Sequence, residues 1–246
     1  MEYYTFSDKG NREYNEDSFG VAMYKDSFCF VVADGLGGHG GGDIASKIAV
    51  DTVCGIFEKE GYYEDFFENV FNEAQKRIIS EQEERGTMYQ MKTTIVVLVI
   101  NKNKSFWAHI GDSRLYLFSN KKYKKRTIDH SVPQLLVLSG EIKEKQIRNH
   151  PDRNRLMRVL GVKGEKPQFD FSGEKKLRSF ETYLLCTDGF WELINEKEME
   201  SSLKKSLSPD EWIDNMNMII NERGKNKDMD NYTAIVVWNK SKGLLG

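Results

Sequence analysis

The chain has 246 residues, 39% of them apolar and 30% charged, with a formal net charge of −2. That is enough chain for one large domain or two small ones, each with a substantial core. The mixed, nearly balanced charge excludes a general pull toward nucleic acid or an anionic membrane, and no apolar run is long enough to span a bilayer.

In chain order, the opening stretch MEYYTFSDKGNREYNED lacks the apolar centre of a signal peptide, so a cytoplasmic protein is expected. Phe19–Ala22 and Phe28–Ala33 read as short strands rich in Val, Phe and Ala. A run of glycines, Gly37, Gly38, Gly40, Gly41 and Gly42, then opens a helix over Asp43–Glu58. No GK[ST] follows the run, so it is not a nucleotide P-loop; close backbone approach is the better use of such residues. In Glu64–Glu84, Phe67, Val70, Phe71, Ala74 and Ile78 recur at spacings of three and four, the stripe of an amphipathic helix.

Strands are expected at Thr94–Ile100, Phe106–Ile110 and Leu115–Phe118. The basic cluster Lys121, Lys122, Lys124, Lys125 and Arg126 reads as a solvated hairpin tip. A helical insert near 131–160 precedes a strand at Tyr183–Cys186, a helix at Pro209–Asn221 and a strand at Tyr232–Trp238. Helices and strands do not alternate strictly, which disfavours a doubly wound parallel sheet. No repeat or composition break divides the chain, so one domain over 1–246 is expected. The cysteines, Cys29, Cys54 and Cys186, are odd in number and lack CxxC spacing, which argues against a disulfide framework or zinc knuckle. Cys29 and Cys186 lie in apolar runs and read as core thiols.

The acids carry the chemistry. Asp34 closes FCFVVADG, Asp112 follows WAHIG, Asp188 closes YLLCTDG, Asp230 precedes YTAIVV, and Glu16 and Asp17 precede Phe19–Ala22. A strand ending in a carboxylate delivers it to a sheet rim on a rigid support. Taken singly, each is also an ordinary turn or cap residue. Taken together at one rim, they would repel unless a cation sat among them, and an all-oxygen donor set suits Mg²⁺ or Mn²⁺. Histidine is confined to His39, His109, His130 and His150, with no HExxH, so zinc is not expected.

At these residues the chain resembles the type 2C, metal-dependent protein phosphatase (PPM) family in its bacterial form. The matching segments are GNREYNEDS (10–18), VVADGLGGHGGGDIAS (31–46), TTIVVLVI (93–100), HIGDSRLYLF (109–118), DHSVPQLLVLSGEI (129–142), HPDRNRLMRVLG (150–161), LLCTDGFWE (184–192) and DNYTAIVV (230–237). They stand in family order and cover nearly the whole chain. The resemblance implies an α+β fold of two packed antiparallel β-sheets flanked by helices on both outer faces. It implies two Mn²⁺ or Mg²⁺ ions: Asp34 bridging both, the Gly35 carbonyl on one, Asp188 and Asp230 on the first, and Glu16 on the second. Asp17 would bond metal waters, and Asp112 with Asp188 would hold the third ion of bacterial members. Asp34, Asp188 and Asp17 form the implied catalytic set, Arg12 would bind the substrate phosphate, and about 131–161 would be a flap beside the site. Leu36 stands where eukaryotic members carry a histidine proposed as general acid; His39 reads as structural.

Phosphate ester hydrolysis needs a nucleophile at neutral pH and a clamp on a charged phosphoryl group. Two divalent ions about 4 Å apart supply both, and the planar fork of Arg12 pairs two oxygens at once. No Cys-x5-Arg loop or GxSxG is present, in agreement with direct water attack. The expected activity is hydrolysis of phosphoserine and phosphothreonine in proteins, with phosphoprotein substrates that include a Ser/Thr kinase, no nucleic acid or membrane partner, and a monomeric state. Two alternatives stand beside it. A catalytically silent binding module on the same fold predicts missing acids, and every expected acid is present. A phosphodiesterase acting on nucleic acid predicts a basic groove, which the net charge does not support.

Overall fold

In a computed structural model describing residues 1–37, 41–86 and 90–239, twelve strands form two antiparallel sheets. The strands are β1 (Glu2–Asp8), β2 (Asp17–Tyr24), β3 (Ser27–Leu36), β4 (Lys92–Thr93), β5 (Ile95–Asn101), β6 (Lys104–Ile110), β7 (Arg114–Ser119), β8 (Lys122–Arg126), β9 (Asp170–Phe171), β10 (Lys175–Lys176), β11 (Glu181–Cys186) and β12 (Tyr232–Asn239). One sheet runs β1-β12-β11-β7-β8. The other runs β10-β6-β5-β3-β2, with β4 beside β3 and β9 beside β6. The helices are α1 (Gly42–Glu60), α2 (Phe66–Arg85), α3 (Val132–Leu138), α4 (Asp188–Trp191), α5 (Glu196–Lys205) and α6 (Pro209–Gly224), with a 3₁₀ turn at Glu144–Asn149.

Successive side chains of a strand point to opposite faces, so each central strand is divided between two cores. On β5, Val96, Leu98 and Ile100 meet Tyr183 and Leu185 of β11 and Ile235 and Val237 of β12 between the sheets. Its other face, Ile95, Val97 and Val99, packs beneath α1 and α2 with Phe57, Phe66 and Phe71. On the far side, Leu184, Cys186 and Val236 pack beneath α5 and α6 with Trp212 and Met216. The result is the expected four-layer sandwich, helices outside and sheets within.

Cys29 and Cys186 are free and buried, as expected. The insert near 131–160 is less helical than expected: it holds α3 and the 3₁₀ turn, and the remainder is turns and extended chain. The short elements β4, β9, β10 and α4 escaped the sequence reading, and so did two longer ones, β1 and α5. β1 has a polar, mostly exposed pattern and is held by pairing with β12 from Glu2↔Trp238 to Asp8↔Tyr232. α5 buries only Met199, Ser202 and Leu203 and relies on an Asn195–Glu198 capping box. The basic segment also differs: Lys121 lies in the turn, but Lys122–Arg126 is an edge strand, with Arg126 buried against Asp129. Among the described residues, no helix is long and apolar enough to cross a membrane.

Truncating a side chain between the sheets tests this division. Leu185→Ala is expected to destabilise the fold by about 2–5 kcal/mol, read as a lower urea midpoint with an unchanged slope.

Candidate metal centre

The strand ends meet at one rim. Asp34 lies near the end of β3, in register with Asp17 at the start of β2. Glu16 immediately precedes β2, Asp112 sits in the β6–β7 turn, Asp188 follows β11 as the first residue of α4, and Asp230 lies two residues before β12. Glu16, Asp34, Asp112, Asp188 and Asp230, with Arg12 and Gly35, line one pocket of about 880 Å³. Asp17 does not line it; it lies buried beneath, its Oδ2 accepting the Thr187 hydroxyl at 2.8 Å.

Hydrogen bonds fix each carrier. Asp34 N–H donates to Thr94 Oγ1 at 3.1 Å, its carbonyl accepts Thr93 Oγ1 at 2.8 Å, and the Thr94 hydroxyl meets Ser113 Oγ at 2.7 Å. The Asp34 strand is thereby tied to the turn that carries Asp112. The Asp112 carbonyl accepts Trp191 Nε1–H at 3.0 Å, joining that turn to α4. Gly35 must be glycine: a Cβ there would stand 2.2 Å from the Gly42 carbonyl oxygen, because α1 begins directly over the strand.

Burial and mutual repulsion govern the titration. Burial, then Asp188, Asp17 and Asp112, push Asp34 well above the carboxylate range. Asp112 is raised by burial and then by Asp188. Burial, followed by Asp230, raises Asp188 to about 6, and burial raises Asp17 to about 8 against the hydroxyls of Thr233 and Thr187. Glu16 is raised by burial, opposed by the Gly42 N–H at the start of α1. Arg12 Nη2 donates to Asp230 Oδ2 at 3.0 Å at the half-exposed lip.

Two residues of the site were missed. Asp43, in the first turn of α1, lines the pocket and keeps a buried Oδ1 with no hydrogen-bond partner. Asn231 accepts Glu16 N–H at 2.7 Å and donates to the Lys9 and Tyr14 carbonyls at 2.9 Å, pinning the loop that carries Arg12. The sequence signals were present, as the acid behind the glycine run and the Asn of DNYT. His39, Gly38 and Gly40 lie outside the described residues.

Oxygen donors that crowd one rim, repel one another and include an unpartnered Asp43 Oδ1 fit hard divalent cations. Glu16, Asp34, Asp188 and Asp230, with the Gly35 carbonyl, would hold two, and Asp112 with Asp188 a further one. A second group, His109, His130 and Asp170, offers one ligand atom each within 4.8 Å of one another. Its geometry is wrong for an ion. The two rings stack at 4.6 Å with planes 14° apart, so their in-plane lone pairs do not converge. His109 Nε2 is already bonded to the Ile128 carbonyl and His130 Nδ1 to Gly111 N–H. Cys186, which could have offered a reactive thiol, is held protonated by burial.

A carboxyl raised in the folded state contributes stability that is complete below its unfolded value and lost as pH rises through its folded value. The metal-free protein is therefore expected to melt at falling temperature as pH rises from 3.8 to about 8, the window set by Asp188 and Asp17. Millimolar Mn²⁺ is expected to raise Tm, most strongly at the alkaline end. Calorimetric melting with and without chelator checks both; a Tm indifferent to Mn²⁺ at pH 8 would count against a cation site.

Known proteins resemble the chain over nearly its full length. The family profile described as "Protein phosphatase 2C" matches residues 7–223. The serine/threonine phosphatase stp of Listeria welshimeri is 34% identical over 239 residues, covering 94% of this chain and 93% of that protein. The crystal structure of the serine/threonine phosphatase Stp1 from Staphylococcus aureus superposes with a TM-score of 0.85 at 28% identity, covering 96% and 94% of the two chains. The catalytic domain of the phosphatase PstP, solved with two manganese ions, superposes with a TM-score of 0.81 at 25% identity, covering 96% of each.

Proposed function

We propose that this chain, which belongs to the protein phosphatase 2C family, hydrolyses phosphoserine and phosphothreonine in proteins, cutting the ester at the rim where Asp34, Asp188 and Asp230 meet. The observation that carries this reading is the convergence of acids from separate strand ends in one open pocket beside an arginine. Divalent Mn²⁺ or Mg²⁺, if held by these acids, would supply a nucleophilic water at neutral pH and neutralise the phosphoryl oxygens.

The chain's own residues do the rest. Burial and then Asp188, Asp17 and Asp112 raise Asp34, so it sits amid the acid set and would be able to serve more than one ion. Asp188 acts on both Asp34 and Asp112 and would serve the first ion and the further one. Asp17 supports the floor from below. Arg12 is held at the lip by Asp230, and its side chain is 47% exposed, so its free guanidinium edge can pair with phosphate oxygens. Asn154 and Leu156 of the 131–161 segment form the opposite wall of the mouth, where a peptide entering the pocket would pass. An open mouth suits a phosphorylated loop of a protein better than a small enclosed metabolite. The substrates we infer are cytoplasmic phosphoproteins, including a Ser/Thr kinase, acted on by a monomer folded as one domain. The alternative of a silent module has no support, since every expected acid is in place.

The test is Mn²⁺-dependent phosphate release from a phosphothreonine peptide. Chelator and Asp188→Asn are each expected to reduce it to background; wild-type turnover by Asp188→Asn would sink the assignment. Arg12→Ala is expected to lower kcat/KM by about a hundredfold, with Arg12→Lys recovering only part because it cannot pair two oxygens.

A further inference from the structure

We propose that His130 is a positioning residue that holds the Asp112 turn and the flap segment 155–158 in a single arrangement. The inference rests on the reading of Asp112 as an ion-binding residue.

The contacts run in both directions from this one residue, through its main chain and through both ring nitrogens. His130 N–H donates to the Gly111 carbonyl at 3.0 Å, and Gly111 N–H donates to His130 Nδ1 at 3.2 Å. This reciprocal pair grips the residue directly before Asp112. Gly111 has φ +97, and a Cβ there would lie 2.6 Å from the Thr94 side chain, so the turn is packed against the residue that supports Asp34. On the other side, Met157 N–H donates to the His130 carbonyl at 2.7 Å. The adjacent Ser131 bridges to Leu156, and Val132 N–H donates to the Arg155 carbonyl at 2.9 Å. Leu156 and Asp112, which line the same pocket, therefore depend on one residue and its neighbour.

The ring is oriented as well as placed. Nδ1 accepts from Gly111 N–H, while Nε2 lies 3.2 Å from Arg158 Nη1 and 3.4 Å from Asp170 Oδ2, so this edge of the ring meets the flap residue Arg158 and its carboxylate partner. Arg158 Nη1 donates to the other Asp170 oxygen at 3.0 Å and so holds the carboxylate that receives the ring. His109 stacks on the face of the imidazole, and Asp129, the preceding residue, is clamped by Arg114 and Arg126. Neither nitrogen reaches the pocket lining, so the ring acts through Gly111 and the flap rather than on substrate.

Hydrogen–deuterium exchange on the metal-free protein separates the two halves of this role. His130→Leu removes both ring contacts. His130→Asn keeps an acceptor near the Nδ1 position but leaves nothing to meet Asp170. His130→Leu is expected to speed exchange in both 106–116 and 153–160, and His130→Asn in 153–160 alone. Segment 232–239 should keep its wild-type rate in both variants, reporting an intact fold. In calorimetric titration, His130→Leu is expected to weaken Mn²⁺ binding by about tenfold, with His130→Asn recovering most of the loss. Wild-type exchange in either segment of His130→Leu overturns the proposal, as does equal loss of Mn²⁺ affinity in both variants. If His130→Leu does not fold, His130→Asn decides: any pattern other than selective loosening of 153–160 overturns it. A wild-type protein that releases no phosphate would instead be the failure of the parent reading, and it would leave the exchange pattern as it is.

Discussion

Carboxylates forced together out of water are the constraint on which this structure turns. Burial raises Asp34, Asp112 and Asp188, followed for Asp34 and Asp112 by the charge of Asp188 and for Asp188 by that of Asp230. Such a set is tolerable only if it takes up protons or encloses cations. Burial and repulsion oppose folding locally, so the remainder of the fold must hold the acids in place. It does so with rigid elements: antiparallel strands, the central ones buried on both faces, whose ends carry the acids to the same rim.

The rim is reinforced by short polar links between chain segments far apart in sequence. Thr94 and Ser113 tie the Asp34 strand to the Asp112 turn, Trp191 ties that turn to α4, and Asn231 ties the Arg12 loop to Glu16. Beneath them lies a buried ionic cluster in which Asp129 receives both Arg114 and Arg126, with Arg114 also stacked 3.4 Å from the Trp191 ring. The attraction of Arg114 and Arg126 keeps Asp129 ionised and below its usual range despite burial. Removing one partner of such a cluster leaves an uncompensated buried charge, so its members act together. Asp129 thus differs from Asp34 and Asp112: two arginines clamp it directly, whereas burial and neighbouring carboxylates dominate theirs.

Much of the site was legible in the chain because local pattern carried it. Alternating apolar runs ending in Asp located Asp34, Asp188 and Asp230, and all three line the pocket. Asp43 was read only as a helix start, since an acid behind a glycine run is an ordinary helix opening until α1 is seen to begin over Gly35. Asp17 was expected to bond metal waters; it is buried directly opposite Asp34 in the β2–β3 register, beside the acids that line the pocket. β1 was missed although Tyr3, Tyr4, Thr5 and Phe6 favour a strand: it is mostly exposed, with no buried face to mark it, and its partner lies at the opposite end of the chain.

By itself, then, the sequence determined which segments extend or coil and which acids sit at their ends, because periodicity and turn chemistry are properties of neighbours in the chain. Tertiary structure alone decided that those ends share one rim, that β1 pairs with β12, that the basic segment becomes an edge strand, and that His130 meets both Gly111 and residues 157–158. Strand register and hydrogen bonds between distant segments depend on packing the whole sandwich at once, and no local window contains that information.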